Sequence, residues 1–122
     1  MRHAKTALTA LAAIAALGAA TPLSAHAELQ RSTPAAHASV APPRTVSVTF
    51  DDALVSQFSK LELVMPGHDN MRVQLRTTFS RDGKTMIGTP QARLAKGNYR
   101  LDWTAATSDG HREKGQIPFR VK

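Results

Sequence analysis

The chain contains no cysteine, and aromatic residues make up only 5% of its 122 residues. The missing thiols exclude disulfide scaffolds, cysteine nucleophiles and thiolate metal sites. The length allows one domain and excludes a multidomain enzyme. Acidic side chains are also in the minority, with 9 Asp and Glu against 16 Lys and Arg. Because the basic residues are scattered singly and few aromatic rings accompany them, they indicate a solvated basic surface rather than a nucleic-acid partner.

Long hydrophobic runs are scarce as well, and the one that occurs spans residues 6–20. It is shorter than the roughly 20 residues of a membrane-spanning helix. A basic start and small residues flank it, which predicts a secretory signal peptide over residues 1–25 and export to the periplasm. Cleavage after Ala27 fits the A-x-A rule slightly better, whereas cleavage after Ala25 makes His26 the first mature residue. With the latter cut, the domain spans residues 26–122 and keeps 14 basic and 9 acidic side chains.

The motifs of common enzyme classes are missing too. The chain has no Gly-rich phosphate loop, no G-x-S-x-G elbow and no HExxH helix. Asp51 and Asp52 are adjacent, and neighbouring strand residues point to opposite faces, so we interpret one of them as capping the turn that follows. These absences predict a protein that is not an enzyme.

Alternation of apolar and polar residues with period two is what the chain does contain. It predicts an all-β domain, a β-sandwich or Greek-key barrel of about seven strands. Trp103 is expected in the core, and Pro118 is expected to mark an edge strand or a bulge. The apolar positions of the alternating segments are Val46, Val48 and Phe50; Leu61 and Leu63; Met71, Val73 and Leu75; Tyr99, Leu101 and Trp103; and Ile117, Phe119 and Val121.

Histidine and methionine provide candidate metal ligands in one loop. Met65, His68 and Met71 lie between two predicted strands and form a soft-ligand set suited to Cu(I). Methionines that flank a loop also pack commonly at the edge of a core. His3, within the signal peptide, and His37, in a polar segment, are interpreted as ordinary surface residues.

A second candidate set lies after the Trp103 segment, in the sequence Thr-Ser-Asp-Gly-His at residues 107–111. Asp109 and His111 can converge on one metal ion if the turn folds their side chains to the same side. If His26 is the first mature residue, its amine and ring Nδ1 can chelate an ion in a six-membered ring. A nitrogen-rich set with an oxygen alongside is what Cu(II) prefers. The amine must lose a proton to bind, so affinity should fall in acid.

In their order and spacing, segments along nearly the whole mature chain resemble the periplasmic copper-resistance protein C (CopC) family. The matching segments are HAEL with STPA near the start, then VTFDDALV, QFS, KTM, LAKGNYRLDW, SDGH and FRV. The resemblance implies an immunoglobulin-like, cupredoxin-related β-barrel that binds one Cu(II). Its ligands would be the amine and imidazole of His26, the imidazole of His111 and the carboxylate of Asp109. The resemblance therefore favours cleavage after Ala25, and it makes Asp52, where the family often has glutamate, a candidate near the site.

The chain departs from the family at one loop. Members with a Cu(I) site carry a longer methionine-rich loop, whereas residues 64–71 here keep two methionines and one histidine. Because Met71 is also predicted to face the core, we expect a Cu(II)-only binder, with Met65, His68 and Met71 as the ligands if a Cu(I) site exists.

The implied function is periplasmic copper sequestration or trafficking by a monomer. The implied partner is an inner-membrane copper importer of the CopD type. Two other hypotheses are a histidine-brace copper oxidase and a metal-free sandwich module for adhesion or partner binding.

Overall fold

The computed structural model describes residues 27–122, and within them nine strands form two packed sheets. The predicted signal peptide and His26 lie outside the described residues, as does His3. No helix within residues 27–122 has the length and apolar character needed to cross a membrane. Two short 3₁₀ turns, Ser56–Phe58 and Pro66–His68, complete the regular structure. The strands are β1 Leu29–Thr33, β2 Ser39–Val40, β3 Val46–Phe50, β4 Lys60–Met65, β5 Met71–Val73, β6 Leu75–Phe79, β7 Thr85–Pro90, β8 Gly97–Ala106 and β9 Arg112–Val121.

The two sheets face each other and do not close. One has the order β1-β3-β7-β6 and the other β2-β9-β8-β4-β5. All neighbours are antiparallel except β2, which runs parallel to β9. Since no edge strand of one sheet pairs with the other within the described residues, the predicted sandwich is confirmed and a closed barrel is not formed. Strand β2, two residues long, and the division of residues 71–79 into two strands bring the number to nine instead of about seven.

The predicted alternation supplies the core between the sheets. Val46, Val48 and Phe50 of β3 are buried, as are Leu101 of β8 and Ile117 of β9. Full burial of such a side chain contributes about 1.5–3 kcal/mol relative to exposure, so this layer provides most of the driving force for folding.

Trp103 is partly buried and packs against this core, as predicted. Its ring meets that of Phe50 edge to face, with centroids 4.9 Å apart. The indole lies directly over Gly115 on the neighbouring strand, where a Cβ atom would approach Cζ2 of Trp103 to 2.3 Å. Any larger residue at position 115 would therefore displace the tryptophan.

One predicted strand is divided in the structure, and only Val73 and Leu75 of its three apolar residues pack against the core. Residues 71–75 were expected to form a single strand with Met71, Val73 and Leu75 facing the core. The segment instead divides, because β5 pairs with β4 in one sheet and β6 pairs with β7 in the other. Met71 begins an edge strand of only three residues, and 51% of its surface is exposed. Alternation identified a shared face, but nothing covers that face at Met71.

The prediction of an edge strand or a bulge at Pro118 is wrong, because β9 lies between β8 and the two-residue β2 and its register with β8 is continuous. The Pro118 carbonyl accepts a hydrogen bond from the N–H of His37, 2.6 Å away, so its backbone polar groups face away from β8. A missing N–H on that side removes no hydrogen bond from the β8–β9 ladder. Residues 37–40 then run along only the last part of β9.

Candidate metal site

The turn at residues 107–111 joins the two longest strands, since β8 ends at Ala106 and β9 begins at Arg112. The N–H of Thr107 donates to the carbonyl of His111 at 3.0 Å, and the N–H of Gly110 donates to the carbonyl of Thr107 at 3.0 Å. Gly110 has a φ of 91°, a left-handed conformation that glycine adopts without steric cost. The turn is therefore a tight, hydrogen-bonded continuation of the β8–β9 ladder.

This turn brings Asp109 and His111 together. Oδ2 of Asp109 and Nδ1 of His111 are 2.6 Å apart, and the backbone N–H of His111 donates to Oδ1 of Asp109 at 3.2 Å. Both residues are exposed to solvent. The side chains thus lie on the same side of the turn, which is the condition under which the sequence allowed them to share an ion.

Hydrogen bonds hold Asp109 in its charged form. The Thr107 hydroxyl and then the His111 donors lower the pKa of the Asp109 carboxyl well below its usual range. An ionised carboxylate only accepts hydrogen bonds, so the proton between the two side chains belongs to Nδ1 of His111.

Thr107 is a functional candidate to which the sequence motif assigned no role. Its side chain is buried with 5% of its surface exposed, and its hydroxyl donates to Oδ1 of Asp109. A hydroxyl two residues before an aspartate in a Ser-Asp-Gly turn is the signal that could have identified it, because such side chains commonly bond within turns. Thr107 therefore orients the carboxylate.

The start of the described chain lies at the same end of the sandwich. Ala27 belongs to the buried core cluster with 4% of its surface exposed. Glu28 is tied to the residue after β3 by two hydrogen bonds, from its N–H to Oδ1 of Asp51 at 2.7 Å and from the Asp51 N–H to its carbonyl at 3.0 Å. The chain then leads from Asp51 to Val55, whose N–H donates to the carbonyl of Ala106, the last residue of β8.

Asp52 lies in that connecting segment. Its Oδ1 accepts a hydrogen bond from the N–H of Ala53 at 2.8 Å, so it caps the turn as predicted. Since Asp51 bonds to Glu28 instead, the two adjacent carboxylates serve different backbone amides and do not form an acid–base pair.

The donors at this turn suit Cu(II), and they are incomplete by themselves. Among residues 27–122, no group of three or more His, Cys, Asp or Glu side chains is placed to hold a metal ion. Asp109 and His111 offer one oxygen and one nitrogen, a combination that fits Cu(II) better than Cu(I). A copper ion at this turn would therefore need donors besides these two side chains.

The loop with Met65, His68 and Met71 lies at the other end of the sandwich. Met65 and Met71 are directly opposite each other on β4 and β5, joined by a short turn in which Asp69 and Asn70 both have a φ of 54°. His68 is exposed on this turn. Met65, in contrast, is only 5% exposed, and its methyl carbon would lie 3.2 Å from a Cβ atom on Gly97. The turn pairs the methionines across the strands, but it leaves only Met71 and His68 accessible.

The two ends are far apart. Gly97 begins β8 beside Met65, and Ala106 ends β8 beside the Thr107 turn. A strand of this length spans about 30 Å. One ion cannot bridge the two candidate ligand sets.

Comparison with known proteins gives a consistent match. The family model described as the CopC domain matches residues 29–122. Copper resistance protein C of Pseudomonas syringae pv. tomato is 41% identical over 103 residues, which cover 80% of this chain and 82% of that protein. Copper resistance protein C of Xanthomonas campestris pv. juglandis is 37% identical over 119 residues, 93% of this chain and 94% of that protein. The crystal structure of PcoC, described as a methionine-rich copper resistance protein from Escherichia coli, superimposes with a TM-score of 0.73 at 37% identity, covering 80% of this chain and all of PcoC.

Proposed function

Because the chain belongs to the CopC family of copper resistance proteins, we propose that it is a periplasmic copper-binding protein that sequesters or traffics one Cu(II) ion. The observation that carries this proposal is the contact between Asp109 and His111, 2.6 Å apart on an exposed turn. A carboxylate and an imidazole fixed side by side form half of a tetragonal nitrogen–oxygen site.

The other half is assigned to His26 as the first mature residue. Its amine and ring nitrogen would add two nitrogen donors, with the imidazole of His111 and a carboxylate oxygen of Asp109 completing the set. Ala27, its neighbour in sequence, packs into the core at the end of the sandwich that carries the turn. Oδ2 of Asp109 and Nδ1 of His111 already face each other at 2.6 Å, so an ion that binds both side chains would replace the proton of that hydrogen bond.

Burial of Ala27 also supports cleavage after Ala25. Cleavage after Ala27 would remove a residue of the core cluster and would make the Glu28 nitrogen a charged terminus beside Asp51. Cleavage after Ala25 keeps that packing and creates the His26 ligand in the same step.

We propose binding rather than catalysis. With one carboxylate and two histidines occupying coordination positions, few positions remain for oxygen chemistry. Asp52 is committed to the Ala53 amide and is left out of the ligand set. The exposed position of the turn suits transfer of the ion to another protein, and an inner-membrane importer of the CopD type is the proposed recipient. A monomer suffices for all of these roles.

The proposal is tested by expressing the full chain with its own leader and isolating the periplasmic fraction. Mass spectrometry should identify His26 as the first residue, and titration should show one tightly held Cu(II) per chain. Retention of the whole chain in the cytoplasm, or a mature protein that begins at Glu28 and binds Cu(II) equally well, would contradict it.

A further inference from the structure

A cavity of about 340 Å³ opens on the outer side of the five-stranded sheet, away from the Asp109–His111 turn. Residues 37–39 and the end of β9 form one wall, β8 forms the floor, and Pro66 forms the opposite wall. Its volume lies within the range of small-molecule sites, about 300–1,000 Å³. None of the residues proposed to bind copper lines it.

The walls of the cavity are fixed by the backbone. His37 has a φ of 65°, a left-handed conformation that is uncommon for residues other than glycine. Its N–H donates to the carbonyl of Pro118 at 2.6 Å, and the N–H of Arg120 donates to the carbonyl of Ala38 at 2.9 Å. These bonds hold the backbone of residues 37 and 38 against β9, so this wall of the cavity is fixed by main-chain hydrogen bonds.

The lining combines an apolar surface with positive charge. Pro66 and Pro118 provide apolar walls, while Arg100, Arg120 and His37 provide cationic or protonatable groups. Within the part of the chain that the structure describes, no carboxylate lines the cavity.

The two arginines differ in whether a carboxylate already neutralises their charge. The Arg100 guanidinium binds both carboxylate oxygens of Asp102, at 2.7 and 3.0 Å. Arg120 is exposed and forms no ion pair among residues 27–122, so its charge is the one left for a ligand.

From this lining we infer that the cavity binds a small organic carboxylate, with the acid group on Arg120 and the apolar body between Pro66 and Pro118. An arginine offers a planar pair of N–H donors that matches a carboxylate, and charge-assisted hydrogen bonds of this kind are about twice as strong as neutral ones. The carboxylate can come from a free acid or from the end of a peptide chain.

The test is an NMR titration of the copper-free protein, following backbone amide shifts. Benzoate represents a free organic acid, N-acetylphenylalanine represents a peptide terminus, and benzyl alcohol is the neutral control. We expect at least one of the acids to bind with a dissociation constant on the order of 1 mM. The shifts should be concentrated at the amides of Asn98 and Arg120, and benzyl alcohol should bind at least about tenfold more weakly.

Two matched variants test whether the acid group of the ligand binds Arg120. Arg120→Gln should weaken binding of the acid about tenfold, whereas Arg76→Gln, which removes an exposed charge from β6 on the other sheet, should leave it unchanged. Both positions are exposed, so both variants should fold. Binding of the two acids in any ratio supports the inference and identifies the source. Equal binding of benzyl alcohol, failure of both acids to bind, or indifference to Arg120→Gln would overturn it.

Discussion

The two ends of the sandwich both carry side chains of types that can bind copper, but they hold them in different ways. At the Thr107 turn, hydrogen bonds fix Asp109 and His111 against each other, and both face solvent. At the other end, Met65 is buried against Gly97 while Met71 is exposed, so one thioether belongs to the core. Residue type alone made both ends candidates. The backbone conformation distinguishes the two ends, because only the Thr107 turn presents all of its candidate ligands together at the surface.

The number of methionines differs between this chain and PcoC, a similar protein of known structure. PcoC is described as methionine rich, whereas this chain has four methionines, of which Met86 is buried in the core and Met1 is the first residue. Since about 30 Å of β8 separate the two ends, changes at one end should not alter binding at the other.

The largest effect is expected from His26→Ala. The substitution removes a ring nitrogen from the chelate and leaves only the amine. Changes to residues that merely support metal ligands lower affinity about 10- to 100-fold, so loss of a ligand should lower Cu(II) affinity by more than about 100-fold. Competitive titration with a chelator measures this loss. His37→Asn is the control, because it removes an exposed histidine at the other end and asparagine tolerates a left-handed φ. An unchanged affinity in His26→Ala would remove His26 from the site.

Acid should weaken Cu(II) binding at the Thr107 end by a comparable factor. A free amine has a pKa of about 7.7–8.0 and an imidazole about 6.5, so protons compete with Cu(II) below neutrality. Each pH unit costs about tenfold per displaced proton, which predicts a loss of about 100-fold or more between pH 7 and pH 5.

Asp109 should not contribute to this pH dependence. Its pKa in the folded protein is lowered, so the stabilisation linked to its charge is present above its ordinary value and is lost only as pH falls below that value. Because the carboxyl stays ionised through this range, Asp109→Asn should lower Cu(II) affinity at every pH from 5 to 8. An unchanged affinity across that range would remove Asp109 from the ligand set.

A smaller effect is expected from Thr107→Val, which removes the hydroxyl bound to Asp109 and keeps the shape of the side chain. Cu(II) affinity should fall about tenfold, and the electron paramagnetic resonance spectrum of the bound ion should change because the carboxylate is no longer oriented. Thr107→Ser should restore both, and Thr104→Val on the same strand is the matched control. If Thr107→Val keeps the wild-type spectrum and affinity, Thr107 has only a structural role.

The smallest effect on Cu(II) is expected at the methionine end. Replacing both Met65 and Met71 with leucine should change Cu(II) affinity by less than about twofold, because the two ends do not share an ion. Leucine conserves the volume of Met65 in the core, so the loss of stability should stay below about 1.5 kcal/mol in chemical denaturation. If the protein binds Cu(I), the same double variant should abolish that binding. Unchanged Cu(I) binding would exclude the loop as its site.

The fold was largely predictable because burial follows alternation in most strands. Val46, Val48 and Phe50 are buried as the pattern requires. Alternation failed at Met71 because it identifies which residues share a face, but not whether another layer covers that face. It also does not account for Val64, which is buried between Leu63 and Met65 although it points to the other side of β4.

The types of ligand in the candidate site could be predicted from the sequence. The hydrogen bonds that orient those ligands were harder to predict. The Asp-Gly-His sequence suggested convergence because glycine permits the tight turn, and the turn does bring Asp109 and His111 together. The spacing of Thr107 and Asp109 could have suggested a hydrogen bond between them, but the burial of the Thr107 side chain depends on the closure of the turn between two long strands. The ligand role of His26 rests on the family resemblance and stays a prediction.

The central claim is that copper binds at the Thr107 end and not at the methionine end, and two histidine variants test it most directly. His111 and His68 are both exposed, both lie on short turns, and stand at opposite ends of the molecule. Parallel Cu(II) titrations of His111→Asn and His68→Asn should show a loss of more than about 100-fold for the first and none for the second. Equal affinities in the two variants, or a loss confined to His68→Asn, would contradict the account.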